Sequence, residues 1–276
     1  MRFTTRTDTA TTRRDPPDWQ PEANHTTPTR SPPVNAEQHA LGLSVLLHLA
    51  PGAALTGFVI AANAALGVEP LLALLIGILV VLAPLELGYL ALYAHRTTGS
   101  WSPLAAVDYR ARVPWKQLSL TVAALAAWML LLVAVSLVVI DEWLADSVFA
   151  WLPEAIVTMA TVEGGEETMS TAALLTFLVL FFITNGLVGP ITEELYFRGH
   201  LLPRIDRYGR GAPLLNTVLF PLYQFHTPWR WPVILLGYLP ICIASWRKRS
   251  LWIGLGAHLL VNNIFVLMML ASYLAQ

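Results

Sequence analysis

Apolar runs separated by short polar loops fill this chain from residue 40 onward. Seven can be traced, at about 40–66, 70–94, 117–140, 171–192, 212–227, 232–246 and 251–272. A helix needs roughly 20 apolar residues to cross the hydrocarbon core, so the first four runs and the last are long enough to span a bilayer. The fifth and sixth, near 15 residues each, predict helices that are short or bent around a cavity. Lipid offers backbone groups no hydrogen bonds, and continuous runs of this length satisfy theirs only as helices. The expected fold is therefore all-α, a polytopic membrane helical bundle of about seven transmembrane helices over residues 39–276.

Residues 1–38 are a different polymer, rich in Thr, Pro and Arg and without apolar periodicity. They read as a disordered cytoplasmic tail, and the first apolar run starts too late and runs too long for a secretory signal. Mean hydropathy is +0.57. Charged residues make up 13% of the chain, against about 25% in an ordinary soluble domain. The lone Cys242 excludes an internal disulfide and a cysteine-based metal cluster. A net charge of −1 gives no reason to expect a nucleic-acid partner. The two halves show no internal repeat.

Basic residues orient the bundle. Of seventeen Lys and Arg, five lie in the tail, four in 95–116, four in 198–210 and three in 247–249; only Arg230 falls elsewhere. The 141–170 loop carries seven acids and no base. With an odd number of spans, the positive-inside rule puts the N-terminus and the sixteen clustered cations on the cytoplasmic side. Trp residues such as Trp101, Trp115, Trp143 and Trp252 gather near span ends, as an aromatic belt does.

Polar residues inside the apolar runs are the candidate chemistry, because an intramembrane charge is expensive to keep. Glu193 and Glu194 sit side by side at the expected cytoplasmic end of the fourth run, just after a helix-distorting Pro190. Adjacent helical side chains diverge by about 100°, so the two carboxylates are expected to serve different spots. Glu194 and Arg198, four apart, suit an ion pair. Headgroup-level charges would read the same way, but His226 ends the fifth run, and His258 and Asn262 share one face of the seventh. Glu86, near Pro84, is expected to satisfy freed backbone groups or to pair with His48; Asn185 is expected to bond across helices.

The strings EELYFR (193–198) and His258-Leu-Leu-Val-Asn262 resemble the E-E-x-x-x-R and H-x-x-x-N/D motifs of the CPBP intramembrane proteases. That family includes the CAAX prenyl endopeptidase and bacterial Abi-type proteins. Its F-x-x-x-H motif is matched by His226, with Leu222 in place of Phe and Phe220 and Phe225 nearby. The resemblance covers about residues 186–268, within a family core at about 171–272. It implies an endopeptidase that cuts a membrane-associated peptide or small protein near the cytoplasmic face, in what is expected to be a bacterial cell membrane. Glu193 would activate water, His226 would orient it, and His258 and Asn262 would donate to the oxyanion. Glu194 and Arg198 would hold the Glu193 helix. Low-dielectric surroundings make a carboxylate a stronger base, and one preorganised oxyanion donor is worth roughly 3–4 kcal/mol. Glu193, His226 and His258 could hold zinc with an open position, and a metal-free glutamate mechanism fits the same residues. Two other readings stand beside the protease. One is a catalytically silent relative acting in membrane interaction or bacteriocin immunity or maturation. The other is a proton-linked transporter, although transporters place their sites between repeats.

Overall fold

In the computed structural model the described residues are 36–157 and 170–274, without the side chain of Tyr273. The tail expected at 1–38 and the second half of the 141–170 loop lie almost wholly outside them. The apolar runs fold as helices: α1 (Leu41–Leu66), α2 (Pro70–Thr98), α3 (Trp115–Val139), α6 (Thr171–Tyr208), α7 (Gly211–Tyr223), α8 (Trp231–Lys248) and α9 (Trp252–Leu274). Two short helices, α4 (Asp141–Ser147) and α5 (Glu154–Val157), follow α3. Among the described residues, five helices are long and apolar enough to cross a membrane: α1, α2, α3, α6 and α9. The fifth and sixth runs form the shorter pair α7 and α8, which fall outside that length and apolarity. Its all-α, polytopic character is as expected.

Chain direction sorts the loops onto two faces. On the basic face the 99–114, 203–211 and 248–251 segments lock together. Arg204 pairs with Asp108 at 2.6 Å and Arg249 with Asp206 at 2.9 Å. The Leu251 N–H donates to the Tyr109 carbonyl and the Ala111 N–H to the Arg249 carbonyl, each at 2.9 Å. On the opposite, acidic face, Arg230 at the tip of the α7–α8 hairpin meets Asp141 at 3.3 Å. Trp229 packs there with Ala145 of α4 and Ile156 of α5.

Prolines inside the helices decide much of the packing. A proline lacks an N–H, so the carbonyl four residues earlier loses its helical partner. In lipid such a carbonyl must find a donor on another segment. Here four of them do. Pro51 frees Leu47 O, which accepts from the Tyr196 hydroxyl at 2.9 Å. Pro240 frees Leu236 O, which accepts from Trp128 Nε1 at 3.2 Å. Pro203 frees Gly199 O, which accepts from the Asp108 N–H at 2.9 Å. Pro190 frees Gly186 O, which accepts from Asn263 Nδ2 at 2.9 Å. Each break thus pins a particular pair of segments, and the last two lie on α6 either side of the carboxylates. Three stretches relax into π turns, Ile78–Leu82 before Pro84, Phe182–Val188 before Pro190 and Glu194–Leu201 before Pro203. Widened turns of this kind are frequent at functional sites.

A candidate active site in the middle of the bundle

Glu193 does not lie at the end of its span. Fifteen further residues of α6, Glu194–Leu201 and Leu202–Tyr208, continue past it. Through Ile205 they are buried inside the bundle. Gly199 and His200 of this stretch bond the basic-face segment at Asp108 and Ala106, and α7 climbs back about 18 Å from Gly211 to Tyr223. The end of α7 therefore returns to the level of Glu193. The Tyr223 hydroxyl donates to Glu193 Oε1 at 2.7 Å. His226, just beyond, lines the same cavity.

Nor do the two carboxylates serve different spots. They bracket one imidazole: His258 Nε2 lies 3.8 Å from Glu193 Oε2, and His258 Nδ1 lies 3.3 Å from Glu194 Oε1. Their directions diverge, but the two ring nitrogens diverge as well, and α9 presents the ring edge-on between them. An ionised Glu194 only accepts, so Nδ1 carries its proton and Nε2 faces Glu193. Gly254 makes the fit possible. It lies one turn before His258 on α9, and a Cβ there would fall 3.0 Å from Glu194 Cδ.

Arg198 closes the network from below. Its guanidinium is fully buried, 3.4 Å from Glu194 Oε1, and rests over the rings of Phe220 at 4.0 Å and Tyr238 at 4.6 Å. Two aromatic faces and a carboxylate offset the desolvation that a buried guanidinium would otherwise suffer. Phe220 supplies the aromatic contact that Leu222 cannot. Tyr238 also meets His258 edge-on, with ring centroids 5.4 Å apart.

Asn262 has a task of its own. Its Nδ2 donates at 2.7 Å to the carbonyl of Asn185, in the π turn before Pro190. Asn185 thus bonds across helices through its backbone. With Asn263 on Gly186 O, the two amides clamp α9 to the broken part of α6. Asn262 still lines the cavity, as do Glu193, His226 and His258. His226 is buried there, its Nδ1 without a hydrogen-bond partner. Glu86 is fully buried with no hydrogen-bond partner on either carboxylate oxygen. His48 does not pair with it: its Nε2 meets Asn216 Nδ2 at 3.0 Å and its Nδ1 meets Ser44 O at 2.6 Å.

The cavity has a volume of about 440 Å³, within the range of small-molecule sites. Its polar lining includes Glu193, Tyr223, His226, His258 and Asn262 around the floor and Asp141 and Arg230 at the acidic face, and leucine, phenylalanine and methionine side chains make up much of the rest. The donor set does not fit zinc. Among the described residues no three His, Cys, Asp or Glu side chains gather as a metal-holding group, and one Glu193 oxygen is already taken by Tyr223. No step is routed through a metal here.

Sequence reading missed Tyr223, Tyr238, Gly254 and Asn263. Gly254, His258 and Asn262 recur every four residues, one stripe on α9, and that spacing was a usable signal. The two tyrosines carried none, because their partners are remote in the chain.

Residues 175–264 match the family model of the type II CAAX prenyl endopeptidase Rce1-like proteins. The curated protein "Putative membrane peptidase YdiL" of Bacillus subtilis (strain 168) is 28% identical over 122 residues, 41% of this chain and 49% of that protein. The chain therefore spans about half the length of that relative. No solved structure matches. Glu193, Glu194, Arg198, His226, His258 and Asn262 fall inside that match, and the match together with five helices long and apolar enough to cross a membrane makes this an integral membrane protein. The resemblance to the CPBP membrane proteases holds, and it holds over the stretch, residues 175–264, that builds the cavity floor.

Proposed function

We propose that this protein is an intramembrane endopeptidase that hydrolyses a peptide bond of a membrane-associated substrate with a glutamate-activated water. The observation that carries the reading is Glu193 at the cavity floor, held by the Tyr223 hydroxyl and facing His258 Nε2. Glu193 takes a proton from water as the water oxygen attacks the scissile carbonyl carbon. Asn262 offers its remaining N–H to the oxygen that gains charge, and His258, held through Nδ1 by Glu194, turns Nε2 toward Glu193 and the reacting water. His226 orients the water across the cavity. When the C–N bond breaks, the proton held by Glu193 passes to the leaving amine. Glu194 and Arg198 act through His258 and through α6, fixing both without touching the substrate. The partners of this reading are membrane lipid and a peptide or small-protein substrate, in a bacterial membrane with the basic face inside.

The test is a comparison of membrane peptides from cells making the wild-type protein and the Glu193→Gln variant. The variant keeps size and the Tyr223 contact but loses the base. A fragment present with wild type and absent with Glu193→Gln, at equal protein level and melting temperature, supports the protease. Equal fragments from both sink it and leave a silent relative with an interaction role.

A further inference from the structure

The cavity is one-sided. No residue that lines it falls in 83–128, 194–222 or 242–256, the stretches that build the basic half of the bundle. On α2 and α3 its walls come only from the opposite half of the span, and on α9 they run from Ala257 to Met269. The start of α2 gives Leu71 and Leu74, the end of α3 gives Leu137, and the end of α9 gives Phe265 and Met269. Asp141 and Arg230, the pair at the acidic face, also line it. Toward the basic face, Glu193 is followed by twelve consecutive buried residues, 194–205. A route from that side would have to pass Arg198, Phe197 and Phe220, all fully buried.

We infer that substrate reaches Glu193 from the acidic face, the outer side under the charge rule, as an apolar stretch of peptide delivered outside or in the outer leaflet. The chemistry rests on the protease reading; the direction of access does not. Apolar side chains suit the leucine-rich walls, and Tyr223, His226, His258 and Asn262 around Glu193 offer polar partners to a peptide backbone. The substrate class is therefore a membrane-inserted or exported peptide with an uncharged, apolar segment. A cytoplasmic chain terminus reaching up from the basic face has no path to the floor.

Access can be read without catalysis. In a full chain carrying Cys242→Ser, single cysteines replace Leu137 or Met269 in the cavity wall and Arg110 or Lys248 on the basic face. Intact cells are treated with a membrane-impermeant maleimide and compared with permeabilised cells. Leu137→Cys and Met269→Cys should label at least tenfold faster than Arg110→Cys and Lys248→Cys in intact cells, and the basic-face pair should label only after permeabilisation. Labelling of all four from the same side, or none at 137 and 269 while the basic-face pair reacts, overturns the inference. Repeating this in Glu193→Gln separates the two claims. Outer labelling without any Glu193-dependent fragment removes the protease and leaves the access route. A Glu193-dependent fragment with labelling from the basic side removes the route alone. Variants are compared only where their melting temperatures match the parent.

Discussion

Gly254→Ala adds one methyl group at the most crowded point of the network. The new Cβ would lie 3.0 Å from Glu194 Cδ and 3.5 Å from Ile241 Cγ2, where carbon atoms settle at about 3.5–4.0 Å. Ile241 can stay. The Glu194 carboxylate cannot, and it must swing away by about 1 Å, which stretches contacts that now measure 3.4 Å to Arg198 and 3.3 Å to His258. Overpacking alone costs about 1–3 kcal/mol. Complete loss of a buried charge partner costs about 3–5 kcal/mol, but Arg198 keeps its two aromatic faces. A net loss of about 2–4 kcal/mol follows, near 5–15 °C in melting temperature at about 2–4 °C per kcal/mol. Activity should fall more than tenfold, because His258 turns with Glu194. Thermal unfolding in detergent and fragment yield in membranes measure both. Adding Glu194→Asp retracts the carboxylate by one methylene and should recover part of each. A Gly254→Ala protein with wild-type melting temperature and fragment yield would refute the picture of one imidazole wedged between two carboxylates.

Three further substitutions test separate joints. Tyr223→Phe removes the donor to Glu193 Oε1, worth about 1.5–3 kcal/mol for a charged acceptor, and should lower kcat roughly tenfold or more with KM little changed in steady-state cleavage. Glu194→Gln leaves Arg198 without a charge partner, so its melting temperature should fall while Glu193→Gln melts as the parent does. Tyr196→Phe orphans the Leu47 carbonyl at a cost of about 0.6–2 kcal/mol by membrane-helix measures. Pro51→Ala should restore it by returning a backbone N–H, and a double variant no more stable than Tyr196→Phe alone would deny the proline account.

The legible part of the fold was the part written in single runs. Apolar lengths marked the five long helices, and the deficit of the fifth and sixth runs already pointed to bent or shortened ones. Depth was harder. Glu193 ends an apolar run, so it read as a span terminus, yet ELYFRGH continues the helix inward because its polar members pair with one another. Tyr196 reaches Leu47, His200 reaches Ala106 O at 2.8 Å, and Arg198 reaches Glu194. Hydropathy counts such residues as solvent-seeking and is blind to partners a hundred positions away. Glu86 and His48 show the same limit, since Asn216 outcompetes the expected pairing. The motif residues were visible one by one, but the sharing of His258 was not, because it depends on Gly254 letting α9 approach α6.

The packed segment beneath Glu193 also has an electrical meaning. A membrane potential does about 2.3 kcal/mol of work on a unit charge per 100 mV across the full barrier. Where one half of a bundle is an open cavity and the other is solid protein, nearly all of that drop falls across the solid half. Here the solid half begins one residue after Glu193, with the twelve buried residues 194–205 and the locked loops of the basic face. With the acidic-side access inferred above, the charge on Glu193 sits close to the potential of that side whatever the voltage, and proton transfer to it does almost no work against the field. The same dry segment keeps a bundle with Glu86, Glu193, Glu194, Arg198 and His258 in its interior from becoming a path for ions.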